Sequence, residues 1–324
     1  LNMSERKWII LSSDLQMQQR IAVSPGRVFC YTGIEVSDSM EPFVKQHQQE
    51  CGRFVLESWE RSAPDGRLAA GFTGRHGGVS AKPYDSLNLA FHVGDVREHV
   101  IENRRRIAGA LGFSLEDWTC GEQVHSGDVA IVRAGDRGRG SLDRDSAFQD
   151  TDGLVTNVPG ILLTSFYADC VPLYFWDPAT EAVGLAHAGW KGTVAGIAGN
   201  MVSAMTSEYG SDPSRIRAAI GPSIGACCYE VDDRVMDRVR ALHLPPQDSE
   251  ENPQSAMYID KGNGKYMLNL KEINRRIMIK AGILAEHIEC TTWCTSCNND
   301  LFFSYRKDGG TTGRMASWIG MRKR

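Results

Sequence analysis

The stretch ILLTSFYADCVPLYFWDPATEAVGLAH, residues 161–187, decides the fold. It reads as three short apolar runs, 161–166, 173–176 and 182–187, each of strand length and bounded by turn formers. A fourth run, 154–157, precedes it across Asn157-Val158-Pro159-Gly160, and Asp177-Pro178-Ala179-Thr180 separates the last two. Strands this close are expected to pair antiparallel, because a parallel crossover consumes about a dozen residues. The most apolar part, 161–176, is broken by Asp169 and Pro172 and is too short for a helix across a hydrocarbon core of about 30 Å. No membrane-spanning segment is expected.

Working outward, further strands are expected at 216–220 and 315–319. Residues 95–111 predict a helix: Asp95 at the N-cap, Glu98 three residues later, Val96, Val100, Ile107 and Leu111 on one face, and Gly112 as the stop. Asn269 and Glu272 repeat that box before Ile273 and Ile277. A third helix is expected from about Thr193 to Tyr209, closed by Gly210. No GxGxxG or GxxxxGK[ST] loop occurs, so the class expected is α+β rather than a nucleotide-binding parallel sheet. No internal repeat is present. Residues 1–39 begin with Leu1 and carry no clear period before Met40-Glu41-Pro42-Phe43. They are read as an added or upstream segment, with one catalytic domain at 40–324.

A hydrophobic content of 42% with 23% charged residues over 324 positions is ample for a buried core. The net charge of -4 gives no attraction to phosphate backbones or anionic membranes. Neither a nucleic-acid nor a membrane partner is expected, which leaves small molecules. Nine cysteines, an odd number, without a basic and then apolar leader, argue for a reducing cytoplasm over a disulfide scaffold.

Three segments carry candidate chemistry: Gln123-Val124-His125-Ser126, Ala168-Asp169-Cys170-Val171, and His187-Ala188-Gly189-Trp190-Lys191-Gly192. Imidazole and thiolate suit a borderline-soft cation, and three protein ligands leave a fourth tetrahedral position open for catalysis. Spacing does not join the segments. A lone Cys among apolar residues is commonly core, and a lone His commonly a satisfied polar group.

With these segments, the sequence resembles the YfiH-like or laccase-domain family, whose members are described as purine nucleoside phosphorylases and also as polyphenol oxidases. The resemblance runs from Thr73-Gly74-Arg75-His76-Gly77-Gly78 through Ser86-Leu87-Asn88-Leu89, Asn103-Arg104 and the three segments. It continues through Gly221-Pro222-Ser223-Ile224 and Cys227-Cys228-Tyr229-Glu230 to Phe303-Ser304-Tyr305-Arg306 and Gly313-Arg314. It implies layered mixed β-sheets flanked by helices, with His125, Cys170 and His187 as zinc ligands and catalytic centre. It further implies phosphorolysis of adenosine, inosine and methylthioadenosine to the base and (methylthio)ribose 1-phosphate, with an adenosine deaminase activity.

Arg75, Asn88, Asp169, Lys191 and Arg306 are the candidate substrate contacts, Lys191 and Arg75 as phosphate binders. Strand neighbours point to opposite faces, so Asp169 can act at the Cys170 site only if the backbone bends there. Two His and one Cys are also a copper ligand set, which makes a copper-dependent polyphenol oxidase the alternative metal chemistry. That chemistry would run at a single copper, since no His-x-His pair is present. A metal-free cysteine hydrolase would use Cys170 as nucleophile and His187 or His125 as base. Cys290-x3-Cys294-x2-Cys297 has the thiolate spacing of an iron–sulfur loop, and His287-x-Glu289 beside it resembles a deaminase motif. Each lacks its structural context: the cysteines lie at the end of the chain, and Trp293 stands where the deaminases have Pro.

Overall fold

Alternate side chains of the 161–187 stretch pack into different cores, and that partition defines the layers. The structure is a computed structural model that describes residues 41–46, 51–244 and 256–323; the expectation for 1–39 lies outside the described residues. Its strands are β1 (Phe43–Lys45), β2 (Arg53–Leu56), β3 (Leu68–Thr73), β4 (Trp118–Cys120), β5 (Val129–Ile131), β6 (Gly153–Thr156), β7 (Leu162–Tyr167) and β8 (Val171–Asp177). They continue as β9 (Ala182–Ala188), β10 (Arg217–Ile220), β11 (Glu230–Asp232), β12 (Tyr258–Gly262), β13 (Lys265–Leu268), β14 (Ile288–Cys290) and β15 (Met315–Met321). The helices are α1 (Glu57–Ser62), α2 (Arg97–Ala110), α3 (Trp190–Val194), α4 (Ile197–Tyr209), α5 (Asp233–Arg240) and α6 (Leu270–Lys280).

Two six-stranded sheets run β1-β2-β3-β15-β7-β4 and β14-β10-β8-β9-β6-β5, beside a small sheet β11-β13-β12. On β8, Val171, Leu173 and Phe175 face Met201 of α4 and Ile273 of α6. Tyr174 and Trp176 point the other way, into a core with Leu163 of β7, Phe72 of β3 and Ile319 of β15. Behind the first sheet, Leu162 and Trp318 pack with Ile107 of α2. The layers are therefore helix, sheet, sheet, helix: the α+β fold of layered mixed sheets flanked by helices. Strands β7, β8 and β9 are buried on both faces throughout, which is why they read as continuous apolar runs.

Strands β8 and β9 form the antiparallel hairpin expected across 177–180, with Val171 opposite Ala188. The antiparallel expectation fails across 157–160, because β6 and β7 lie in different sheets. Strands β7 and β8 also lie in different sheets, so residues 168–170 carry the chain from one sheet to the other. Three pairs, β4 with β7, β5 with β6 and β10 with β14, are parallel. At 157–160 the chain changes sheets because the two faces of β7 are covered by different layers, Leu163 packing with Leu185 of the other sheet and Leu162 with Ile107 of α2, a place that pairing with β6 would not give it.

Asn269 caps α6, its side chain accepting from the Glu272 N–H at 3.2 Å. Helix α2 starts at Arg97 instead of after an Asp95 cap. Asp95 accepts from Asn88 Nδ2 at 2.9 Å and from the Val96 N–H at 2.8 Å, so it tethers a loop. The helix expected at 193–209 is split into α3 and α4 at Gly196, whose φ of 79° breaks the helical path. No helix among the described residues is long and apolar enough to cross a membrane.

Candidate metal centre

The change of sheet at 168–170 and the end of β9 bring the ligand candidates together. His187 is the next-to-last residue of β9, buried on the inter-sheet face with its ring 5.4 Å from that of Tyr167. Cys170 closes the crossover immediately before β8. His125 sits between β4 and β5 in a left-handed conformation, with φ 66°. One ligand atom from each of the three lies within 4.8 Å of the others. His125 Nε2 stands 3.9 Å from Cys170 Sγ, and the two imidazoles meet edge to face at 4.8 Å.

Asp152, buried just before β6, organises both histidines. Its Oδ1 accepts from His187 Nδ1 at 2.8 Å. Its Oδ2 accepts the backbone N–H of Ser126 at 2.7 Å and of Val124 at 3.1 Å, the residues on either side of His125. With Nδ1–H committed to the carboxylate, His187 presents Nε2 as a lone-pair donor to the site.

The side chains of Asp152, His187 and Cys170 are also coupled electrostatically: the charged imidazole favours the ionised carboxylate and thiol, and they favour it. Burial opposes the ionised form of Asp152, but the His187 contact and the two N–H donors outweigh it and hold the carboxyl below its usual range. Burial likewise opposes a Cys170 thiolate, yet His187 and His125 draw the thiol down to about 6. Burial would lower His187, while Cys170 and Asp152 lift it to about 9. Gly189 completes the cradle: a Cβ there would stand 2.8 Å from His125 Cδ2 and 3.0 Å from Cys170 Sγ.

Two cavities meet at His125, which lines both. The first, about 260 Å³, has Cys170, Trp190, Lys191, Ile224, Tyr229 and Leu270 in its walls. The second, about 420 Å³, is lined by Arg104, Arg144, Arg314 and His92 and by the acids Glu122 and Asp143, a balance of three arginines against two carboxylates. Arg104 is buried and spent on carbonyls of Leu89, Gly140 and Ser141. Arg144 pairs with Glu122.

The substrate candidates divide. Asp169 and Lys191 line the first cavity. The backbone does bend at Asp169, with φ 85°, but its carboxylate turns to the C-terminal loop. There it accepts from Thr295 Oγ1 at 2.6 Å, the Arg306 N–H at 2.7 Å and Ser304 Oγ at 3.1 Å. Arg306 borders the same cavity through Tyr229, its guanidinium 5.1 Å from that ring.

Arg75 and Asn88 line neither cavity. Arg75 donates to the Asn299 carbonyl at 2.7 Å and covers Phe303. Asn88 is fully buried and ties Ala90, Asp95 and the Arg314 N–H together. The sequence reading missed Asp152 and the cavity role of Arg314. Nothing in Thr151-Asp152-Gly153 distinguishes it from a turn, because its partners come from two other loops.

Residues 69–322 match the family described as multi-copper polyphenol oxidoreductase laccase. The chain belongs to this family. A relative from Geobacillus stearothermophilus, named purine nucleoside phosphorylase YlmD, is 49% identical over 260 residues, 80% of this chain and 92% of its own length. The crystal structure of YlmD from Geobacillus stearothermophilus superposes with a TM-score of 0.80 at 46% identity, covering 87% of this chain and all of that one. That of Bacillus licheniformis YfiH gives 0.78 at 43%, covering 86% and 99%. The laccase-family name therefore spans relatives that are named for nucleoside phosphorolysis.

Proposed function

We propose that this chain is a zinc-dependent purine nucleoside phosphorylase. It would cleave adenosine, inosine and methylthioadenosine with phosphate to the free base and (methylthio)ribose 1-phosphate, and would deaminate adenosine at the same site. The observation that carries the reading is the His125, Cys170 and His187 triplet at the junction of an aromatic cavity and an arginine-lined one. The names of its relatives as purine nucleoside phosphorylases support it.

The residues fit the ion. Two imidazoles and a thiolate are zinc ligands, Asp152 fixes the tautomer that ligation needs, and Gly189 leaves room beside two of them. A bound zinc would supply a Lewis acid with one open position. Trp190 and Tyr229 offer aromatic faces to a purine. Arg314, with Arg144 beside it, draws a phosphate dianion into the second cavity. His92 is pushed down to about 4, first by burial and then by Arg314 and Arg144, so it stays neutral beside them. Lys191, which lines the first cavity, donates from Nζ to a ring nitrogen of the bound purine.

A second reading rests on one observation: Cys170, His187 and Asp152 also form a thiolate, imidazolium and carboxylate series, the arrangement of a cysteine hydrolase. Copper-dependent phenol oxidation stays the alternative metal chemistry. Only one of the two metal-capable clusters among the described residues contains histidine, which favours a single ion over a multi-copper array.

Chromatography of adenosine incubated with metal-quantified protein, with and without phosphate, tests the proposal. Adenine and ribose 1-phosphate formed only with phosphate support phosphorolysis, and inosine formed without phosphate adds deamination. Untouched adenosine in both arms overturns it. His125→Ala, Cys170→Ala and His187→Ala should each lose metal and turnover together. Activity that survives metal removal but not thiol alkylation selects the hydrolase.

A further inference from the structure

Away from this centre, the fold gathers a second set of soft ligands that the proposed reaction does not use. The loop after β10 supplies Cys227 and Cys228, and the loop after β14 supplies Cys294 and Cys297, nearly 70 residues later. All four sulfurs lie within 4.8 Å of one another. Cys297 Sγ is 3.4 Å from both Cys227 Sγ and Cys228 Sγ. Cys290, first of the three cysteines in the C-terminal motif, is absent from the group: it is held on β14 opposite Ile220.

We propose that Cys227, Cys228, Cys294 and Cys297 bind one zinc ion as a closed tetrathiolate that staples the two loops together. Zinc–sulfur bonds of about 2.3 Å put tetrahedral sulfurs about 3.8 Å apart, so these separations match one ion. A multinuclear cluster would need its sulfurs spread further. A disulfide requires sulfurs about 2.05 Å apart in one chosen pair, whereas Cys297 is equidistant from two candidates. Four protein ligands leave no open position, which makes the site structural.

The surroundings suit thiolates. Cys294 Sγ accepts the Gly225 N–H at 3.2 Å. Such N–H donors stabilise coordinated sulfur as well as free thiolate.

The staple would act on the cavity at one remove. Ile224 and Tyr229, in the first cavity wall, flank Cys227 and Cys228 in sequence. Thr295 lies between the other two ligands, donates its N–H to the Ser223 carbonyl at 3.1 Å and donates its hydroxyl to Asp169. A single ion would thus lock the cavity wall to the loop that holds Asp169, beside Cys170.

The test uses purified protein prepared with zinc. Metal analysis of the Cys294→Ser, Cys297→Ser double variant should show one zinc per chain fewer than the parent. Cobalt exchanged into the parent should give the sulfur charge-transfer and tetrahedral bands of a tetrathiolate, and these should persist in Cys170→Ala. In the unmutated protein, exposed Cys227 should resist iodoacetamide until a chelator is added. This arm keeps the test decisive if the variants fail to fold. Rapid alkylation of Cys227 in zinc-loaded protein, a disulfide among the four in a non-reduced peptide map, or a folded double variant with unchanged zinc would overturn the proposal.

Discussion

Two buried aspartates flank the candidate centre, and the same chemical group does opposite work in each place. Asp152 accepts from one side chain that must keep a defined tautomer and from two backbone N–H groups that can only donate. Asp169 accepts from two hydroxyls, which can donate or accept, and one backbone N–H. Beside the His187 charge, Asp152 is held below the usual carboxylate range. For Asp169, burial dominates its neutral donors and raises it. A buried carboxylate is therefore not one kind of residue: its partners decide whether it positions a ligand or ties down a loop.

Replacing each by Asn separates the two roles most sharply. In Asp152→Asn, the amide oxygen is needed by Ser126 and Val124, so the NH2 faces His187 Nδ1. That ring must then accept at Nδ1 and carry its proton on Nε2, the tautomer that cannot ligate. Metal affinity should fall about 10–100-fold, read by competition with a chelator, with the fold intact by circular dichroism. Wild-type affinity would break the argument.

Gly189→Ala comes next. It leaves both aspartates untouched but pushes a methyl against His125 and Cys170, and a ligand displacement of about 1 Å costs up to about 100-fold in turnover. Full activity in this variant would mean that the cradle is looser than its contacts.

In Asp169→Asn, the Thr295 hydroxyl can rotate to accept from the new NH2, leaving the oxygen for Arg306 and Ser304. Stability should stay within about 1 kcal/mol of the parent in urea titrations, and metal content should not change. Asp169→Ala, which strands all three donors, should cost about 2–4 kcal/mol. If Asn proves as costly as Ala, the hydroxyl account is wrong.

The smallest contrast pairs two cations first read as phosphate contacts. Lys191→Ala should raise KM for nucleoside about two- to fivefold, as expected of an exposed charge contributing about 0.5–1 kcal/mol. Arg75→Ala should leave KM alone and lower stability by about 1–3 kcal/mol through its carbonyl bond and its cover of Phe303. A KM effect at Arg75 would return it to the site.

The apolar runs at 161–187, the Asn269 cap and the α+β class were legible in the sequence because strand burial and helix capping leave marks within a few residues. The ligand-capable residues His125, Cys170 and His187 were nameable there, and the resemblance to a known family joined them. Tertiary structure alone decided that residues 168–170 cross between sheets, that Asp152 bonds to His187 and to both neighbours of His125, and that Asn88 and Arg75 line neither cavity. It also brought Cys227 and Cys228 to Cys294 and Cys297 while leaving Cys290 behind. The physical reason is range: periodicity and capping are written in neighbouring residues, whereas a shared carboxylate or a cluster of sulfurs depends on which distant loops the packed layers bring together.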